Sequence, residues 1–191
     1  MRMQPNYCKG IVIAHGKSEY LLAEHIKSNL HLPIEIYKEG SNGKTSIQID
    51  GLIKVLGNNI FKNKKVFRQK YIVEEEQGIL KNFSVMPIMD LDDTSQERQA
   101  KYISTQMFQN HWLAPYIIPI WNNRNLDEVL LDVELIDKLP NDKEKGRVYR
   151  ELFPTNQGES DKQQVEKLKE RFERTNKTNM EVFLKKCLDC L

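Results

Sequence analysis

The sequence predicts an α/β domain built on a mostly parallel sheet of about four strands flanked by helices, with a helical extension at its C-terminus. Three observations carry that prediction. Four short apolar, β-branched runs recur over the first 120 residues, each bounded by polar or turn residues. Three of them are almost continuously apolar, as strands covered on both faces are. Helix-period patterns separate them, and such alternation leads to parallel strands joined by right-handed crossovers.

The strand runs are "GIVIA" (10–14), "PIEIY" (33–37), "FSVMPIM" (83–89) and "YIIPI" (116–120). Pro87 and Pro119 argue against central ladder positions and point to edges or bulges. Between the first two runs, Ser18 can cap a helix reaching about Leu30, with Leu22, Ile26 and Leu30 four apart. Ser46 can cap "IQIDGLIKVL", where Ile49, Leu52, Ile53 and Leu56 form one face before Gly57 ends it. A third helix, about Ser95 to Asn110, places Ala100, Ile103 and Met107 together. After the fourth run, Asn125 can cap a helix that buries Leu126, Val129 and Leu130.

Beyond residue 140 the text turns polar and rich in turn residues. It then gives two amphipathic patterns, Val165-Leu168-Phe172 and Met180-Phe183-Leu184-Cys187-Leu188. The division expected is residues 1–140 for the α/β domain and 141–191 for a helical extension packed on it.

A chain of 191 residues hides roughly 70% of its extended surface on folding, enough for a sizeable core. Net charge is only +2, so a nucleic-acid footprint has to come from clusters of cations. No apolar stretch approaches the roughly 20 residues of a membrane span, and no signal-peptide core precedes Ile11. Cys8, Cys187 and Cys190 make no disulfide framework. Cys187-x-x-Cys190 ends the chain without a second pair to complete a zinc site, and reads as thiols of a last helix. These features suit a cytoplasmic protein with no membrane partner.

The strongest chemical signal is "MPIMDLDD", an apolar strand ending in Asp90, Asp92 and Asp93. Ligands of open α/β sheets gather beyond the carboxyl ends of the strands. Asp90 and Asp92 share a face if the strand continues through them. Two close carboxylates repel, and a hard divalent cation such as Mg²⁺ or Mn²⁺ relieves that repulsion while taking phosphate oxygens. The bland alternative is an acidic strand end whose Asp93 or Thr94 caps the next helix.

Strand, then His15-Gly16-Lys17-Ser18-Glu19, then helix, and much later strand with Asp90-x-Asp92, resembles the Toprim fold over about residues 10 to 130. More loosely the chain is similar to the RloB and abortive-infection Toprim-like proteins of bacterial defence loci and to OLD-type nucleases. Gly16, Glu19, Asp90 and Asp92 match the family's two motifs, while His15 stands where the family places a glutamate. The resemblance implies metal-dependent phosphodiester hydrolysis on DNA or RNA in phage defence. Asp90 and Asp92 would hold the ion and Asp93 or Glu128 would assist, Glu128 being the acid after the fourth strand. His15 would transfer protons or serve as third ligand, and Glu19 would orient it. Imidazole can do either job, but it cannot replace a carboxylate's charge, and it favours Mn²⁺ or Zn²⁺ over Mg²⁺.

Two further stretches offer phosphate contacts. "EGSNGKTS" fails the P-loop spacing, yet Ser41, Lys44 and Ser46 lie where a helix N-terminus can meet a phosphate. "FKNKKVFRQKY" sets Lys62, Lys64, Lys65, Arg68 and Lys70 among Phe61, Phe67 and Tyr71, a pattern for backbone contacts with base stacking. Its bland alternative is a solvated helix balanced by Glu74 to Glu76. Two other classes of function stay open: a catalytically degenerate module binding nucleic acid, nucleotide, a protein partner or a second copy, and a small-molecule phosphohydrolase.

Overall fold

Gly10–Ala14 (β1) is buried at every position and lies inside a four-stranded, all-parallel sheet. Ile34–Tyr37 (β2) pairs on one side of it and Ser84–Asp90 (β3) on the other, with Ala14 opposite Ile88. Ile120–Asn122 (β4) then pairs with the last three residues of β3, giving the order β2-β1-β3-β4. The structure, a computed structural model, describes residues 5–40, 46–58, 60–152 and 160–191.

The helices are Lys17–Asn29 (α1), Leu52–Leu56 (α2), Lys64–Lys70 (α3), Gln96–Ile103 (α4), Leu126–Asp132 (α5), Lys145–Glu151 (α6), Asp161–Phe172 (α7) and Met180–Asp189 (α8). Successive strand residues point to opposite faces. Val12, Met86 and Ile88 therefore enter one core with Leu22 and Ile26 of α1, Tyr149 of α6, Phe172 of α7 and Phe183 of α8. Ile11, Ile13, Val85 and Met89 enter the other, with Leu52, Phe67, Tyr102 and Phe108. The apolar stripes read for α1, α5 and α7 are the buried ones, as is that of α8 apart from the partly buried Leu188.

Several local expectations are corrected. The fourth strand begins at Ile120, not Tyr116, because Ala114–Tyr116 forms a 3₁₀ turn and Pro119 interrupts the approach. Pro87 is inside a strand paired on both sides, not at an edge. Its neighbours show how: Ser84 and Ile88 address β1, while Val85 accepts the N–H of Ile118 on the β4 side. By alternation the N–H that Pro87 lacks falls on that β4 side. There the buried Tyr102 hydroxyl lies 2.7 Å from the Pro87 carbonyl and 2.8 Å from that of Ile120, occupying the gap.

The cap of α1 is Gly16, whose N–H is taken by Glu19 Oε2 at 2.9 Å; Ser18 is already inside the helix. Ser46 likewise precedes its helix by more than a cap, since Ile49–Gly51 is a 3₁₀ turn entered from Gln48. The third helix stops at Ile103, with Thr105 in the left-handed region, and turns Tyr102 inward while Ala100 and Ile103 are exposed. Two small pairings, Asn6–Tyr7 with Tyr71–Ile72 and Glu75–Glu76 with Ile79–Leu80, are too short to leave a period-two pattern in sequence.

The three cysteines are free, Cys8 and Cys187 buried and Cys190 half-buried. Burial pushes the Cys8 thiol up to about 12. Among the described residues no helix is long and apolar enough to cross a membrane.

Candidate functional site

Because β1 and β3 are neighbours running the same way, the loop after β1 meets the last residue of β3. The His15 N–H donates to Ile88 O at 3.0 Å, and the His15 carbonyl accepts the Ile47 N–H at 2.7 Å. The backbone is thus held from two sides. The ring is held as well: Nδ1 lies 2.9 Å from Ile47 O. A carbonyl only accepts, so Nδ1 carries a proton and Nε2 keeps its lone pair in the neutral ring. Nε2 faces Asp90 Oδ2 at 3.7 Å, and Nδ1 is 3.6 Å from Asp93 Oδ2.

The acids around the ring are buried with little to offset their charge. Asp90 is 6% exposed, and Asn122 Nδ2 donates to its Oδ1 at 3.1 Å. Burial first, then the nearby Glu19, push its carboxyl up to about 9, with Asp92 and Asp93 adding to the rise against the Asn122 hydrogen bond. Glu19, 2% exposed, is raised by burial, with His15 opposing. Asp93 is raised by burial too, and neither of its oxygens has a hydrogen-bond partner.

The expected pairing of Asp90 with Asp92 is corrected. The strand ends at Asp90, so Asp92 does not share a strand face with it; Asp92 is exposed in the turn that follows, and Asp93 Oδ2 lies near His15 Nδ1. Glu19 Oε2 takes the Gly16 N–H, and the Ile47 carbonyl holds the His15 ring. Among the described residues no three His, Cys, Asp or Glu side chains stand ready as a metal cage.

His15, Glu19 and Asp90 line a cleft of about 350 Å³, and α5 and α6 supply its opposite wall. On that wall Lys145 Nζ lies 2.7 Å from Asp127 Oδ2 and 2.9 Å from Ser18 Oγ, and Tyr149 Oη donates to Asp127 Oδ1 at 2.8 Å. Ser46 reaches the same cleft.

Glu128 is not part of this cleft. It closes the start of α5, taking Asn125 Nδ2 at 3.0 Å and Arg124 Nη1 at 3.1 Å, and its neighbour Asp127 is the acid that faces inward. The spacing Asn125-x-x-Glu128 is itself a capping-box signature, and reading it as one would have left Asp127 as the free acid. Lys145, from the polar stretch after residue 140, left no such signal.

The basic run is elsewhere. Phe61, Phe67 and Tyr71 are buried, so they cannot stack on bases. Phe67 packs on Phe83, just before β3 begins, and Tyr71 pairs with Asn6 ahead of β1. That places α3 at the amino end of the sheet, a strand's length from Asp90. Lys64 and Arg68 are engaged by Glu75, with Lys64 Nζ at 3.1 Å from Oε1. Lys62, Lys65 and Lys70 are exposed. Ser41 and Lys44 lie outside the described residues.

No family model matches the chain, and no curated protein does. Among solved structures, the C-terminal region of the Burkholderia pseudomallei OLD protein is a distant match. Identity is 13% and the TM-score 0.35, over 96% of this chain and 88% of that one. A likeness so remote assigns neither activity nor site residues.

Proposed function

We propose that the cleft at the carboxyl ends of β1 and β3 hydrolyses phosphodiester bonds of DNA or RNA with a divalent cation, as Toprim nucleases do. One observation supports this most: the Ile47 carbonyl holds the His15 Nδ1 proton and leaves the Nε2 lone pair facing Asp90 Oδ2. Histidines that bind metal ordinarily give their other N–H to a carbonyl or carboxylate in this way. Asp93, whose oxygens have no hydrogen-bond partner, lies beside the other ring nitrogen, with Oδ2 3.6 Å from Nδ1.

His15 and Asp90 would hold Mn²⁺ or Mg²⁺ with Asp93 nearby, the imidazole favouring Mn²⁺. Bound there, the ion supplies an activated water and a positive charge for the phosphorus centre. The chain's own part is to fix the ring, to keep the carboxylates together, and to present Lys145 from the far wall as a cation for substrate phosphate. Free thiols at all three cysteines suit the cytoplasm, where a nuclease of phage defence works.

The test is cleavage of single- and double-stranded DNA and RNA with Mn²⁺ or Mg²⁺. His15→Ala should lose at least about 100-fold in rate, and His15→Glu should keep activity and shift preference toward Mg²⁺. Full activity in His15→Ala would sink the proposal.

A second reading has its own observation. Both ring nitrogens lie within 3.7 Å of a carboxylate, so a protonated His15 can itself stand as the cation of a catalytically silent binding module. In that case the wild type neither binds Mn²⁺ nor cleaves, and only His15→Glu gains cleavage.

A further inference from the structure

Asp90 is held from behind by a chain of buried polar groups that begins in the C-terminal segment. Asn122, fully buried at the end of β4, donates Nδ2 to Asp90 Oδ1 at 3.1 Å. Its own Oδ1 lies 2.9 Å from the hydroxyl of Thr178, which is 4% exposed. Thr178 sits in Lys177–Asn179, the stretch leading into α8. That stretch covers the open edge of β4: Asn123 N–H donates to Lys177 O at 2.6 Å, and Asn179 Oδ1 accepts the Trp121 N–H at 2.7 Å. The Thr178 oxygen also accepts the Met180 N–H at 3.1 Å, which ties it to the first turn of α8.

We infer that Thr178 and Asn122 are positioning residues for Asp90, so that the segment leading into α8 is a working part of the site and not only a cover for the sheet. The inference rests on the metal reading given above. An amide can present either its N–H₂ or its carbonyl, and an ionised carboxylate, the form that binds a metal, attracts only the N–H₂ side. The Thr178 hydroxyl lies 2.9 Å from both Asn122 Oδ1 and the Trp121 carbonyl, and its proton directed to Oδ1 selects that sense. With Oδ1 of Asp90 occupied by Asn122, Oδ2 is the oxygen left to face His15 Nε2. Buried networks of this kind define one arrangement when every member is satisfied, and partners behind a metal ligand typically carry 10–100-fold in affinity.

Thr178→Val keeps the shape and removes the hydroxyl; Thr178→Ser restores it. Calorimetric titration of the full chain with Mn²⁺ should show about 10-fold weaker binding in Thr178→Val, with Thr178→Ser within about twofold of wild type on the same scale. Thermal melting of the two variants checks that both are folded. A second measurement needs no metal. In NMR spectra of the metal-free protein, the Asn122 side-chain N–H₂ should be protected from exchange with water in wild type and Thr178→Ser, and should lose that protection in Thr178→Val. Unchanged protection in Thr178→Val overturns the inference whatever the metal does. So does Mn²⁺ affinity equal to wild type in a folded Thr178→Val. If protection is lost as expected but the wild type binds no Mn²⁺, Asn122 still positions Asp90, and it is the metal reading that falls.

Discussion

At the amino end of the sheet, Lys64 and Arg68 share the carboxylate of Glu75, near the surface and in reach of water. At the carboxyl end, Glu19, Asp90 and Asp93 crowd around one imidazole, and burial raises the pKa of all three. The first arrangement is ordinary protein surface, where opposite charges meet and little energy is at stake. The second is one that folding alone would not select, since like charges out of water cost stability unless something neutralises them. Charge count does not separate the two regions. What separates them is whether each charge has an opposite partner, and the cation proposed for the carboxyl end would supply one there.

Removing the excess charge should give the largest effect. Asp90→Asn combined with Asp93→Asn should weaken Mn²⁺ binding at least about 100-fold, read by titration calorimetry. The same double variant, without metal, should melt higher than wild type by a few degrees, each 1 kcal/mol being worth about 2–4 °C in a chain of this size. A lower melting temperature would mean that these carboxylates stabilise the fold, and the contrast between the two ends would collapse.

The pH dependence sharpens the same contrast. Asp90 is raised from 3.8 to about 9, so the folded state keeps a proton that the unfolded chain releases. The stability this contributes is complete below about pH 4 and is lost as pH rises toward 9. His25 and His111 act in the opposite sense, because burial lowers both and their contribution is lost as pH falls through the ordinary histidine range. The difference between wild type and Asp90→Asn is therefore the clean reading. Without metal, the variant's advantage in melting temperature should grow from pH 5 to pH 8. An advantage that stays flat over that range would show Asp90 to be ionised in the folded state.

Much of this was legible in the chain and some was not, for physical reasons. Gly10–Ala14 announced itself because both faces of a central parallel strand must be apolar. Val165-Leu168-Phe172 did so because helical period is a long-range regularity. The site was half legible: His15 and Asp90 follow strands that the pattern had already located. The nearness of Asp93 to His15 was not, since it depends on where the strand stops and the turn begins. Asp127 over Glu128 turned on one residue of helix phase. Asn122, Thr178 and Lys145 meet the site only through contacts across the fold, between residues far apart in the chain, which no local pattern records. The basic run misled in the other direction: in sequence, Phe61, Phe67 and Tyr71 look the same whether they stack on a base or on each other, and burial decides.

The smallest effect belongs to the amino end. Lys64→Ala with Arg68→Ala removes the two cations that meet Glu75 and leaves that carboxylate facing water. Exposed ion pairs contribute little, so the melting temperature should hardly move. The affected residues lie a strand's length from Asp90, so Mn²⁺ affinity should stay within about twofold, as expected for sites well beyond direct contact. Nucleic-acid binding is the more demanding readout. Removing one phosphate-binding cation lowers the slope of log affinity against log salt by about one unit on a duplex. Cations at the end of the sheet away from the cleft should leave that slope unchanged. Lys145→Ala, which removes the cation facing Asp127 inside the cleft, should lower it by about one. The opposite pattern, a slope that falls with Lys64 and Arg68 and ignores Lys145, would move the nucleic-acid interface to the amino end and separate binding from the acidic cleft.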